Sequence, residues 1–89
     1  MREAIVTVTN DVGLHARPAA TFVKKAAEFE SDITITNVTR SGEPANAKSV
    51  VSVFKAAVAK NHEIRLTADG ADEHAALDAL IDLIESFSE

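Results

Sequence analysis

The sequence predicts an α+β fold, an open-faced sandwich in which a four-stranded antiparallel sheet carries three helices on one face in the order βαββαβα. Three observations predict it. Apolar residues recur at helical spacing in 16–29 and again toward the C-terminus. Period-two, β-branched stretches occupy 2–9, 33–38 and 63–68. Turn chemistry separates them all, with no linker, repeat or low-complexity stretch.

Residues 2–9 place Ala4, Val6 and Val8 on one face of a strand, and Asn10-Asp11-Val12-Gly13 turns the chain. In 16–29 the set Ala19, Phe22, Val23, Ala26 and Phe29 forms the apolar stripe of a helix, leaving Thr21, Lys24, Lys25 and Glu28 for water. Residues 33–38 are rich in Ile and Thr. Arg40-Ser41-Gly42 then turns toward a short edge strand that Pro44 keeps marginal. Ser49, a favoured N-cap, opens a second apolar helix through Val50, Val51, Val53, Phe54, Ala57 and Val58. Ile64, Leu66 and Ala68 face inward from the fourth strand. The last helix begins near Asp72, read as its N-cap, and buries Ala76, Leu80, Leu83, Ile84 and Phe87.

At 89 residues, 46% hydrophobic and 26% charged, the chain is expected to be one globular domain spanning 1–89. So short a chain buries only about 60% of its unfolded surface, so its chemistry is expected near the surface. There is no cysteine, which removes disulfides and thiolate chemistry and suits a cytoplasmic protein. Neither a leader peptide nor a membrane span is legible, and a net charge of −5 argues against nucleic acid as a partner. A βαββαβ order could suggest an RNA-binding module, but Trp and Tyr are absent and the strands lack stacking aromatics.

The charge is unevenly placed. Residues 12–27 carry Arg17, Lys24 and Lys25 without an acid, and 44–60 carry Lys48, Lys55 and Lys60 without an acid. From Asp69 onward there are seven acids and no Lys or Arg. One region is therefore suited to meeting negative charge.

The chemistry is expected in Gly13-Leu14-His15-Ala16-Arg17-Pro18-Ala19-Ala20. His15 falls at or beside the N-cap of the first helix. There the early backbone N–H groups lack intrahelical partners and the dipole favours an anion. Pro18 is tolerated in a first turn, and Arg17 adds a guanidinium fork suited to phosphate oxygens. A helix N-terminus contributes about 0.3–1 kcal/mol to a surface anion, and an exposed Arg contact about 1 more. That is enough to place a phosphoryl group and too little to trap it. His62 and His74 read as solvated surface histidines, and the three histidines share no metal-ligand spacing.

The octapeptide resembles the phosphorylation-site signature of the HPr family, the phosphocarriers of the phosphoenolpyruvate-dependent sugar phosphotransferase system. The resemblance extends to Ala47-Lys48-Ser49, to Ala71-Asp72-Glu73 and to the element order. It implies a stoichiometric carrier rather than an enzyme, with no cofactor and no metal. Phosphate would pass from enzyme I to Nδ1 of His15 and on to the IIA domains of sugar permeases, with Arg17 as the phosphate contact. It also implies that Ser49 matches a serine phosphorylated by a kinase, and dephosphorylated in turn, to control carbon catabolite repression; capping is the competing role for Ser49.

Ala16, Ala20, Lys24, Lys48, Val50, Val51 and Phe54 are the expected partner surface, an apolar patch rimmed by cations that otherwise read as a solvated face. A carrier that serves several partners is expected to be a monomer. A nitrogen-system or regulatory relative with the same chemistry is the alternative. Four departures from the family pattern stand out. The segment before Ser49 is about three residues longer, which a surface turn absorbs. Val12 replaces a small polar residue, and Ala57 and Asn61 replace glycines. Ala57 resists left-handed geometry, so the loop after the second helix is expected to be rebuilt.

Overall fold

A computed structural model describes residues 1–88. Its elements are β1 (Arg2–Thr7), α1 (Ala16–Ala26), β2 (Asp32–Asn37), β3 (Ala45–Asn46), α2 (Val50–Lys55), β4 (Glu63–Asp69) and α3 (Glu73–Ser86). The strands form one antiparallel sheet in the order β1-β4-β2-β3. β4 lies inside the sheet, and its alternation explains why. Ile64, Leu66 and Ala68 are fully buried and form inward rungs with neighbours on both sides. Leu66 lies between Ala4 and Ile35, while Ile64 lies between Val6 and Asn37.

The helices cover this inward face. α1 packs on α3, α3 packs on β1 and β4, and α2 lies beside α1 and β3. Phe22, Leu80 and Ile84 complete the core. The outward face is polar apart from the exposed Ile5 of β1. Thr34 and Thr67 share a hydroxyl hydrogen bond across β2 and β4, and Arg65 reaches Glu3 across β4 and β1. β3 is two residues long, as expected of a strand limited by Pro44, and it pairs only with β2.

Several element ends differ from the expectation. α1 stops at Ala26 rather than reaching Phe29. Ala27, Glu28 and Phe29 continue in tight turns, with the Phe29 N–H donating to the Ala26 carbonyl at 3.2 Å. α2 is short, ending at Lys55, so Ala57 and Val58 belong to the following turn. That turn is not rebuilt away from left-handed geometry: Ala57 has φ +55° and Asn61 φ +71°. Asp72 precedes α3 but makes no capping bond. Its carboxylate instead accepts the backbone N–H groups of Glu30 (2.8 Å) and Ser31 (3.0 Å) and the Ser31 hydroxyl, tying α3 to the chain before β2. These bonds, the Ser31 hydroxyl foremost, hold the Asp72 carboxyl below its usual range.

Candidate phosphoryl-acceptor site

The loop that delivers His15 is braced before the helix begins. The Asn10 side-chain amide donates to the Gly13 carbonyl at 3.0 Å, and the Gly13 N–H donates to the Asn10 carbonyl at 3.2 Å. Gly13 has φ +63°, and a Cβ there would stand 2.2 Å from the Val58 carbonyl oxygen. Only glycine allows this approach. It lets the Leu14 N–H donate to the Val58 carbonyl at 3.0 Å, with the Leu14 side chain fully buried beneath. Lys60 pairs with Asp11 at 3.1 Å across the same junction.

His15 is the N-cap residue of α1 in extended geometry (φ −125°, ψ 161°), and its side chain makes no capping bond. Ala16 then takes φ +53°, a conformation that an L residue adopts at a cost. The first turn holds no acid and the last holds Lys24 and Lys25, so α1 keeps its positive end directed at the His15 junction. Pro18 is buried in that first turn, while Arg17 is exposed beside it. The half-buried His15 ring lies near-parallel to Phe54 of α2, with centroids 6.3 Å apart and planes 18° apart. The sequence placed Phe54 on the partner surface; its contact with the imidazole came only from the packing of α2 beside α1.

Six large apolar side chains are exposed among the described residues, and four of them, Val12, Val50, Val51 and Phe54, lie on the loop before His15 or on α2. Ala16, Ala20 and Lys24 are exposed. The half-buried Lys48 donates its ammonium to the Phe29 carbonyl at 2.7 Å, tying the segment before α2 to the turns after α1. Lys25 pairs with Glu28 at 3.5 Å. Ser49 is the N-cap of α2 and its Oγ accepts the Ser52 N–H at 3.3 Å.

Two residues that sequence reasoning passed over stand behind this surface. His62, read as a solvated histidine, is half-buried, and its Nδ1 accepts the Ala59 N–H at 3.1 Å. Asn37, read only as part of a strand, donates to the carbonyls of Ala56 (2.9 Å) and Ala57 (3.3 Å). An Asn at the end of an Ile/Thr strand was the available signal, because such a residue needs a partner if it points inward. Among the described residues no three His, Cys, Asp or Glu side chains gather to hold a metal ion, and no helix is long and apolar enough to cross a membrane.

The family model of the HPr component phosphorylation site of the phosphotransferase system matches residues 2–86. The chain belongs to the HPr family. It is 41% identical over 88 residues to the phosphocarrier protein HPr of Borreliella burgdorferi, covering 99% of this chain and 96% of that one. It is 47% identical over 77 residues to a multiphosphoryl transfer protein of Escherichia coli O157:H7. That match covers 86% of this chain, which spans only 20% of the relative's length. Among solved structures, an HPr from Thermoanaerobacter tengcongensis superposes with a TM-score of 0.91 at 41% identity, over 97% of this chain and 93% of that one. A structure described as an HPr dimer from the same organism superposes at 0.75 and 41% identity, over 97% and 95%.

Proposed function

We propose that this chain is a stoichiometric phosphoryl carrier of the sugar phosphotransferase system, in which His15 accepts phosphate from enzyme I and passes it to IIA components of sugar permeases. The observation that carries the reading is the placement of His15 at the open N-terminus of α1, its ring braced by Phe54 and flanked by exposed apolar side chains. In the forward step a ring nitrogen lone pair of His15 attacks phosphorus, with Nδ1 the assigned atom. The bond between phosphorus and the donor breaks, and its electron pair leaves with the donor. The backbone N–H groups at the start of α1 and the Arg17 guanidinium receive the phosphoryl oxygens. No water-excluding pocket is needed, because the partner's surface closes over Val50, Val51 and Phe54 during transfer. The proposal places the protein in the cytoplasm, as one domain over 1–89 and as a monomer, because His15 must face successive partners.

A second reading concerns regulation. Ser49 opens the helix whose Val50, Val51 and Phe54 flank the site. A phosphate there, added by a serine kinase and removed by a phosphorylase, would set about two negative charges beside the docking surface and weaken binding of acidic partners. Incubation with enzyme I and phosphoenolpyruvate, read by intact mass spectrometry, tests the main reading. One added phosphoryl group that brief acid removes is expected for the native chain and none for His15→Ala. Phosphorylation of folded His15→Ala at the native rate would overturn the assignment.

A further inference from the structure

Asn37 is a polar side chain in an apolar rung. The register sets it beside Ile64 on the inward face, and it is 2% exposed. Its side-chain oxygen accepts the Arg40 N–H at 3.3 Å. Its amide nitrogen serves the Ala56 and Ala57 carbonyls and lies 3.1 Å from His62 Nδ1. That same Nδ1 accepts the Ala59 N–H. Asn37 and His62 therefore grip residues 56–59 from both sides of Val58, around the left-handed Ala57 that an L residue resists. This short stretch is also what positions His15. The Val58 carbonyl holds the Leu14 N–H one residue before the histidine, and Phe54 lies in the last turn of α2 just upstream with its ring against the imidazole.

We propose that Asn37 and His62 act as a pair of positioning residues that hold His15 in its geometry for phosphoryl transfer. They touch neither phosphate nor imidazole. They act by locking the turn after α2, and thereby both the Val58–Leu14 bond and the Phe54–His15 stack. A part-buried network that engages both the oxygen and the nitrogen of the Asn37 amide suits this role, since it permits one arrangement of the turn where an apolar filling would permit several. The kinetic consequence rests on the carrier reading given above; the geometric one does not.

The test uses the full chain with Asn37→Ala, His62→Leu and His62→Asn, the last keeping an acceptor near the position of Nδ1, alone and combined with Phe54→Ala. Two quantities are read well below the melting temperature: the NMR shifts of the His15 ring protons, which sense the Phe54 ring, and the rate of phosphoryl uptake from enzyme I. A misplacement of about 1 Å can cost about a hundredfold in rate, so a loosened turn is expected to cost about tenfold. Asn37→Ala and His62→Leu are expected to move the His15 ring protons toward their Phe54→Ala values and to slow uptake by that factor. His62→Asn is expected to stay near the native chain in both. In the Phe54→Ala background, removing Asn37 is expected to slow uptake by clearly less than in the native chain, because one of the two contacts it secures, the Phe54–His15 stack, is already gone while the Val58–Leu14 bond remains.

Folded variants with native ring shifts and native rates would overturn the proposal, as would full additivity with Phe54→Ala. If Asn37→Ala fails to fold, the contrast between His62→Leu and His62→Asn decides. If the native chain takes no phosphate from an enzyme I proven on another carrier, the carrier reading fails, and the ring shifts alone decide the positioning.

Discussion

Replacing Gly13 by alanine tests how tightly the His15 loop is seated on the turn after α2. The new Cβ would stand 2.2 Å from the Val58 carbonyl oxygen, 2.8 Å from the Ala59 Cα and 3.0 Å from the Val58 carbonyl carbon. All three are backbone atoms, so no side chain can swing aside. One side must retreat by about 1 Å to reach ordinary van der Waals separation. Holding alanine at φ +63° costs about 1–2 kcal/mol, and overpacking against fixed backbone about 1–3 kcal/mol. The retreat also stretches the Leu14–Val58 hydrogen bond, worth about 1 kcal/mol. These terms overlap, because the movement that relieves the clash is the one that weakens the bond, so a loss of about 3 kcal/mol is expected. Against a typical stability of about 5–15 kcal/mol this is large. Urea unfolding followed by far-UV circular dichroism should show a lower midpoint with an unchanged slope, and uptake of phosphate should slow as His15 shifts. Gly42→Ala is the control. A Cβ at Gly42 meets nothing closer than 3.5 Å, and a change within about 0.5 kcal/mol is expected. A Gly13→Ala loss under about 1 kcal/mol would refute the account of the loop.

The other expectations are quickly checked. Ala57→Gly relieves the left-handed strain at φ +55° against the extra entropy of glycine in the unfolded chain, and a gain of about 0.5 kcal/mol should appear in the same urea titration. Ser49→Ala removes the acceptor for the Ser52 N–H and should cost about 1 kcal/mol while leaving uptake at His15 intact, which separates capping from any regulatory role. Asp72 and Glu73 both have carboxyls held below their ordinary values of 3.8 and 4.5. Asp72 is held mainly by the Ser31 hydroxyl, and Glu73 mainly by the Gly70 N–H and then by the N-terminal ammonium. Their stabilisation is therefore complete above about pH 4.5 and is lost as the pH falls through the depressed folded values. Asp72→Asn should flatten that acid limb in a pH series of thermal melts, and an unchanged limb would show that Asp72 does not contribute to it.

The sequence by itself determined the architecture and singled out His15 as the proposed acceptor. Period-two Ile64, Leu66 and Ala68, the helical stripe through Phe22, and the turns between them leave few ways to bury apolar surface other than one sheet under helices. His15, Arg17 and Pro18 are adjacent in the chain, so their meeting at a helix N-terminus is local and legible. Tertiary structure decided what depends on residues far apart in the chain. The Lys48 ammonium reaches the Phe29 carbonyl, the Asp72 carboxylate holds the chain before β2 rather than its own helix, and Phe54 lies against His15. Asn37, 25 residues from His62, turns inward to hold it. The physical reason is that local propensity names which groups need partners, while the choice among partners is made by whichever group the packed backbone brings within hydrogen-bonding distance.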